Sequence, residues 1–188
     1  KAIHNVNNCL PAVLATYLYR DITIEDIRAA LISFVPSATL TPGRLNFFHF
    51  KDFTFLADFA HNPHGLRLLG DFVSKLDYPV NIGVISGTGD RRDEDIRELG
   101  EISAGYFDEI IIRCDKNLRG RTADEIIALL KEGINKVKPD IPTTTIANEN
   151  EALEYIYANP KKGALYTIMC DVVAGALDKI RELKEREG

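Results

Sequence analysis

The chain predicts an α/β fold: a Rossmann-like, mostly parallel six-stranded sheet with helices on both faces, preceded by a short helical segment. Three observations carry this prediction. From Leu45 onward, strand-like and helix-like stretches alternate almost without exception. Two of the strand stretches, Val80-Asn81-Ile82-Gly83-Val84-Ile85 and Glu109-Ile110-Ile111-Ile112, are β-branched and apolar on both faces, as strands buried in a parallel sheet are. Polar side chains gather where the apolar runs end, and in an open α/β sheet that edge is where ligands bind.

The elements follow in order. Val6, Leu10, Val13, Leu14, Tyr17 and Leu18 recur at helical spacing and predict a helix over residues 4–20, with Pro11 as an awkward guest that would kink it. A second helix is expected over Ile24 to Leu31, opened by a capping box of Thr23 and Asp26. Pro36 and the Pro42-Gly43 pair read as a loop and a boundary, which gives two domains, 1–41 and 42–188. Strands 45–50 and 53–58, joined at Lys51-Asp52, form a hairpin. Strands at 80–86, 108–113, 143–147 and 164–169 then alternate with helices at 63–76, 93–105, 122–137, 149–158 and 172–185, and right-handed crossovers distribute those helices over both faces. Thr122 and Glu125 form a second capping box.

The bulk properties exclude some functions. A length of 188 residues holds one large domain, or a domain and part of another. The formal net charge of −5 argues against wholesale binding to nucleic acid or to an anionic membrane, so an anionic ligand needs a local cluster of cations. Cys9, Cys114 and Cys170 are widely spaced, and this odd set among apolar neighbours predicts reduced, buried thiols in a cytoplasmic protein. No apolar run reaches the roughly 18 residues of a membrane span. The chain starts at Lys1 inside a patterned segment and reads as a piece of a longer protein.

Five segments carry candidate chemistry. Leu56-Ala57-Asp58-Phe59-Ala60-His61-Asn62-Pro63 ends an apolar strand in an acid, a histidine and an asparagine before a proline that can open a helix, so Asp58, His61 and Asn62 stand where a ligand would sit. His4, Asn5 and Asn8 lie near a helix start; Asn offers a donor and an acceptor to an adenine edge, or equally caps the first turn. Arg44, after Pro42-Gly43, presents a planar cation able to grip a phosphate or carboxylate at two points, or is a surface arginine after a turn. Ser86 to Asp95 follows a buried strand and opens a helix, with glycines that admit a ligand to the backbone, although Asp93, Glu94 and Asp95 also suit a helix start without any ligand. Arg113 to Arg121 mixes cations with Asp115 and Asn117, which suits a substrate carrying both charges or a solvated loop. Asp171, after the last strand, reads as the N-cap of the final helix, and His64 is given no role.

Taken together, H-N-V-N-N, P-G-R-L-N, D-F-A-H-N-P, G-T-G-D-R-R-D-E-D-I and D-K-N-L-R-G-R occur in the order of the C-terminal region of Mur ligases, ATP-dependent amide-forming enzymes. The chain resembles that superfamily over nearly all its length, with Phe59 where the family has Tyr, and the resemblance implies that residues 1–41 are the helical end of the central ATPase domain and 42–188 the C-terminal domain. The last two strings resemble the branch that builds an aspartate–arginine polymer.

The resemblance implies ATP and Mg2+ as cofactors, held mainly by upstream domains of the same chain, because no G-x-x-x-x-G-K-[ST] phosphate loop occurs here. It implies that this region is a lid over ATP, inactive alone, in a homo-oligomeric parent that adds arginine to the side-chain carboxylate of aspartate through an acyl phosphate. Asn8 would face the adenine with Asn5 and His4 in support. Arg44 and Asp58 would contact ATP. His61 and Asn62 would line the nucleotide edge, His61 being the one candidate for a catalytic part. Arg92, Arg119 and Arg121 would lie toward the incoming amino acid, with Asp90, Asp93 and Asp115, and after them Asp171, for its guanidinium and no metal ligand in the chain. Asp171 is followed by Val172 where the family often has lysine, so no role of that lysine carries over. The rival readings are a Mur-type ligase acting on a folate or a muramyl peptide, and a non-catalytic nucleotide-binding domain.

Overall fold

The computed structural model describes residues 3–19, 21–35 and 37–188, with the side chains of residues 3–5 outside the description. The chain divides into two units, 1–36 and 37–188.

The first unit is a pair of helices, α1 (Ile3–Tyr17) and α2 (Ile24–Ser33). α1 runs on through Pro11. Thr23 caps α2 as expected: its hydroxyl oxygen accepts the Asp26 N–H while the Asp26 carboxylate accepts the Thr23 N–H. The apolar side chains line a groove that includes Leu10, Leu14, Tyr17, Ile24 and Leu31, and Ile27 alone among them is buried. Cys9 is exposed here, against the expectation of three buried thiols; Cys114 and Cys170 are buried, and burial raises both of their pKa values.

The second unit carries β1 (Asn46–His49), β2 (Thr54–Asp58), α3 (Pro63–Val73), β3 (Val80–Ile85), α4 (Asp93–Tyr106), β4 (Glu109–Cys114), α5 (Ala123–Val137), β5 (Thr143–Asn148), α6 (Glu149–Ala158), β6 (Ala164–Met169) and α7 (Val173–Arg186). The six strands form one sheet in the order β1-β2-β6-β3-β4-β5. β1 and β2 are the antiparallel hairpin, and every other pairing is parallel. The expected elements are all present, with boundaries that differ by at most three residues.

Alternation along the strands sorts the side chains into two cores. Leu56, Ile85, Ile110, Ile112 and Leu165 face α3, α4 and α5, among Leu66, Leu69, Ile96, Leu99, Ile126 and Leu130. Their neighbours Phe55, Ala57, Ile82, Val84, Ile111 and Ile168 face α6 and α7, among Leu153, Ile156, Leu177 and Ile180. The chain therefore leaves β3 toward one face and β6 toward the other. β3 and β6 are adjacent, so the topological switch point, where the helices part and leave a crevice, lies at their carboxyl ends.

Candidate functional site

A cleft of about 120 Å³ opens at that switch point. It is lined from β2 by Phe59, Ala60 and His61, from β3 by Ser86 and Thr88 with Arg91, from β4 by Arg113, Asp115 and Arg119, and from β6 by Met169, Cys170 and Asp171.

The first wall rests on a tight turn before β1. Gly43 has φ 69° and Leu45 φ 50°, so the chain reverses through the left-handed region, at a cost of about 1 kcal/mol for a residue such as Leu45. Two buried polar side chains hold the turn. Asn46, 3% exposed, accepts the Gly43 N–H at 2.7 Å and donates to the carbonyls of Thr41 at 3.0 Å and Arg44 at 3.2 Å. Asp58, 8% exposed, accepts the Leu45 N–H at 2.9 Å. Any Cβ at position 43 would also come within 2.7 Å of Val173, a second reason for glycine.

The turn leaves Arg44 exposed, its guanidinium carbon 6.0 Å from the centre of the Phe59 ring, which is itself 4.8 Å from the His61 ring. His61 Nδ1 lies 3.0 Å from the Phe59 carbonyl oxygen. A carbonyl only accepts, so Nδ1 carries the proton and Nε2 is the acceptor of the neutral ring. Asn62 caps α3 by accepting the Gly65 N–H at 2.8 Å, with Pro63 in the first turn.

The second wall is organised by a buried cation. Arg113 sits near the end of β4 and is 1% exposed. It pairs with Asp115, lies 3.9 Å from Glu149 at the start of α6, and donates to the Met169 carbonyl of β6. Beside it the β4–β5 register skips Ala147, a bulge that brings the start of α6 to this site. Glu149 in turn accepts the Asp171 N–H at 3.2 Å, and the Asp171 carboxylate accepts the Lys116 N–H at 2.7 Å. Burial pushes the Asp115 and Glu149 carboxyls above their ordinary range, and the Arg113 charge opposes the shift in both. Arg113 Nε and Thr88 Oγ1 are buried in the cleft lining without a hydrogen-bond partner, a condition that water or a ligand group commonly relieves.

The mouth of the cleft is formed by two interlocked loops. Arg119 reaches Asp90 at 2.7 Å and holds its carboxyl below the usual range. Arg121 donates to the carbonyls of Gly89 at 3.0 Å and Arg91 at 2.9 Å, and pairs with Asp93 at 2.7 Å. The loops approach so closely that a Cβ on Gly89 would lie 1.9 Å from the Leu118 carbonyl oxygen.

The expected site residues thus divide. His61, Asp115 and Arg119 line the cleft. Arg44 and Asp58 belong to the adjoining turn, one exposed and one buried. Arg121, Asp90 and Asp93 tie the mouth together. Arg92 turns away to bond Asp95 at 2.8 Å, and its neighbour Arg91 lines the cleft instead. Asp171 is not the N-cap of the last helix; Val172 holds that position, and the Asp171 carboxylate faces the Lys116 backbone. Asn8 is exposed on α1, in the first unit, and the side chains of His4 and Asn5 lie outside the described residues. Among the described residues, no three His, Cys, Asp or Glu side chains gather as a metal site.

Sequence reasoning gave Asn46 and Glu149 no role and counted Arg113 only among the cations of its loop. The signal for two of them was a polar residue beside an apolar run, as in Ile110-Ile111-Ile112-Arg113 and Asn46-Phe47-Phe48. Glu149 gave none, since an acid at a helix start explains itself.

Comparison with known proteins places this architecture. The family model described as Mur ligase, glutamate ligase domain, matches residues 43–172. The cyanophycin synthetase of Geminocystis herdmanii is 41% identical over 177 residues, which are 94% of this chain and 20% of that protein. Among solved structures, the UDP-N-acetylmuramate-alanine ligase of Thermotoga maritima superimposes with a TM-score of 0.69 at 15% identity, over 99% of this chain and 38% of that one. The folylpolyglutamate synthase of Mycobacterium tuberculosis, complexed with ADP and AMPPCP, superimposes with a TM-score of 0.63 at 21% identity, over 85% of this chain and 35% of that one. Both share the fold. The chain spans about a fifth of the length of the cyanophycin synthetases it matches, and it belongs to the Mur ligase family.

Proposed function

We propose that this chain is the C-terminal part of an ATP-dependent carboxylate–amine ligase that adds arginine to the aspartate side chains of an aspartate–arginine polymer. The observation that carries the reading is a cleft of both charges at the switch point, in a chain 41% identical to a cyanophycin synthetase. ATP would give its γ-phosphoryl group to the polymer carboxylate, forming an acyl phosphate and releasing ADP, with Mg2+ and most phosphate contacts supplied by upstream domains. The incoming neutral amine then attacks the acyl carbon, the bond to phosphate breaks as the amide forms, and the amine's proton passes to phosphate or water.

This chain's residues fit one side of such a site. Arg44, exposed beside Phe59 and His61, is free to meet the nucleotide's anionic groups. Asp58 fixes the Arg44 turn through the Leu45 N–H, in addition to any contact with ribose. His61 lines the same edge. On the opposite wall, Asp115 and Asp171 suit the cationic end of an amino acid, and Arg91 and Arg119 suit its carboxylate. The adenine-side part of Asn8, Asn5 and His4 belongs to the same proposal.

The test uses the full-length protein with ATP, magnesium and a short aspartate–arginine primer. Phosphate release and polymer mass gain are followed while arginine, lysine, glutamate or aspartate is added singly. Dependence on arginine supports the reading. Turnover only with glutamate on a folate, or on a muramyl peptide, moves the substrate to another Mur-type ligase. Silence with every acceptor favours a non-catalytic domain. In the same assay Arg44→Ala and Asp58→Ala are expected to weaken ATP use, and unchanged kinetics in both would remove the nucleotide assignment.

A further inference from the structure

We propose that Glu149, which does not line the cleft, sets its selectivity: by holding Arg113 and the Asp171 backbone, it makes the inner wall a receptor for an amino acid with a cationic side chain. The inference rests on the amino-acid placement proposed above and adds to it the residue that determines the choice.

The inner wall sets the carboxylates of Asp115 and Glu149 against one guanidinium, with Asp171 beside them, its N–H on Glu149 and its carboxylate on the Lys116 N–H. Arg113 cannot neutralise them all. It pairs closely with Asp115 and stands 3.9 Å from Glu149. With Glu149 ionised, Arg113 is shared, and the carboxylates facing the cleft keep a surplus of negative charge. With Glu149 neutral, Arg113 and Asp115 balance one another and the surplus falls. Glu149 also fixes where that charge stands, because its side chain accepts the Asp171 N–H at 3.2 Å and so anchors the residue that follows β6. The cluster is aimed at a ligand: Thr88 Oγ1, unpartnered in the lining, can accept from a cationic side chain, while Arg113, 1% exposed, keeps an unpartnered Nε–H that takes an acceptor such as water or the ligand's carboxylate. A polar ligand can complete such groups, directly or through water. The cations at the mouth, Arg91 and Arg119, are exposed and leave the interior acidic.

The experiment compares arginine with citrulline, its neutral near-isostere, in the full-length protein. Glu149→Gln keeps the shape and the acceptor for the Asp171 N–H and removes the charge. The expected result is a loss of about tenfold in the arginine-to-citrulline ratio of kcat/KM, read as a higher KM for arginine with the KM for ATP unchanged. Glu154→Gln, on the same helix in surface pairs with Lys179 and Arg186, is the control and should leave the ratio alone. A structural defect lowers both substrates in parallel. If Glu149→Gln does not fold, Glu149→Asp replaces it, with the charge kept but withdrawn from Asp171, and a smaller loss of the ratio is expected. A wild-type ratio in a folded variant, or a parallel fall for both substrates, overturns the inference. Failure of the unmodified protein to use arginine at all would instead overturn the function proposed above.

Discussion

Each wall of the cleft has an arginine beside or within it, Arg44 on the turn that adjoins the first and Arg113 inside the second, and the two are held in opposite ways. Arg44 stands in solvent on a turn whose supports are Asn46, Asp58 and backbone hydrogen bonds. Arg113 is buried, and its supports are carboxylates and a carbonyl. An exposed cation keeps its hydration until a ligand arrives, so a rigid backbone beneath it suffices. A buried cation has lost its hydration and must be surrounded by acceptors at all times. The first arrangement leaves the charge available; the second uses it to set the positions and charge of its neighbours.

Removing the buried cation is the strongest way to break this contrast. Arg113→Met keeps the bulk and leaves Asp115 and Glu149 buried without a counter-charge. A loss of about 3–5 kcal/mol is expected in urea unfolding. A loss below about 1 kcal/mol would mean that the carboxylates regain water freely and that the walls are alike. The pH dependence gives a second measure. Because burial raises the Glu149 carboxyl, the folded protein binds its proton more readily than the unfolded chain does. The wild type should therefore gain stability relative to Glu149→Gln as pH falls through the raised folded value, and the gain should level off below the ordinary value of 4.5. Unfolding of both proteins between neutral pH and pH about 4 checks this, and an opposite slope would show the Arg113 charge outweighing burial.

The same contrast explains what could be read from the sequence. The sheet, its hairpin and its helices were legible because continuous apolar runs and helical spacing are local, and both capping boxes were legible because two residues three apart define each. The first wall was legible for the same reason: Asp58, His61, Asn62 and Arg44 fall in two short segments. The second was not. Arg113, Glu149 and Asp171 are brought together by β4, α6 and the end of β6, and a polar residue ending an isoleucine run, though a local signal, does not say which distant carboxylates it meets. Arg92 and Arg91 illustrate the finer limit, since adjacent residues in a loop differ only in direction, and the Asp95 carboxylate decides which one turns outward.

The neutral supports of the first wall predict a middle-sized effect. Asn46→Ala removes an acceptor for Gly43 and donors for Thr41 and Arg44 in a buried position, and about 2 kcal/mol of stability should go with them. Asn46→Asp restores only the acceptor and adds a buried charge, so it should recover none of the loss. A recovery, measured in the same urea series, would show the turn to be held by the Gly43 contact alone and Asn46 to be less buried in solution than its 3% exposure implies.

The smallest stability effect belongs to the residue with the largest expected effect on nucleotide use in its wall. Arg44→Gln removes the charge beside Phe59 and nothing that holds the turn, since the bonds there run through the Gly43 N–H and carbonyl, the Arg44 carbonyl and the Leu45 N–H. A cation–π contact at an exposed position is worth about 0.5 kcal/mol, so unfolding should barely change. If the KM for ATP nevertheless rises in the full-length protein, stability and function separate at Arg44, whereas at Arg113 they fall together. A cost of several kcal/mol at Arg44 would make it a second structural cation and end the distinction. The sign of that result follows from exposure alone: a charge that solvent already satisfies contributes little to holding the fold, and for that reason it can be given to a ligand.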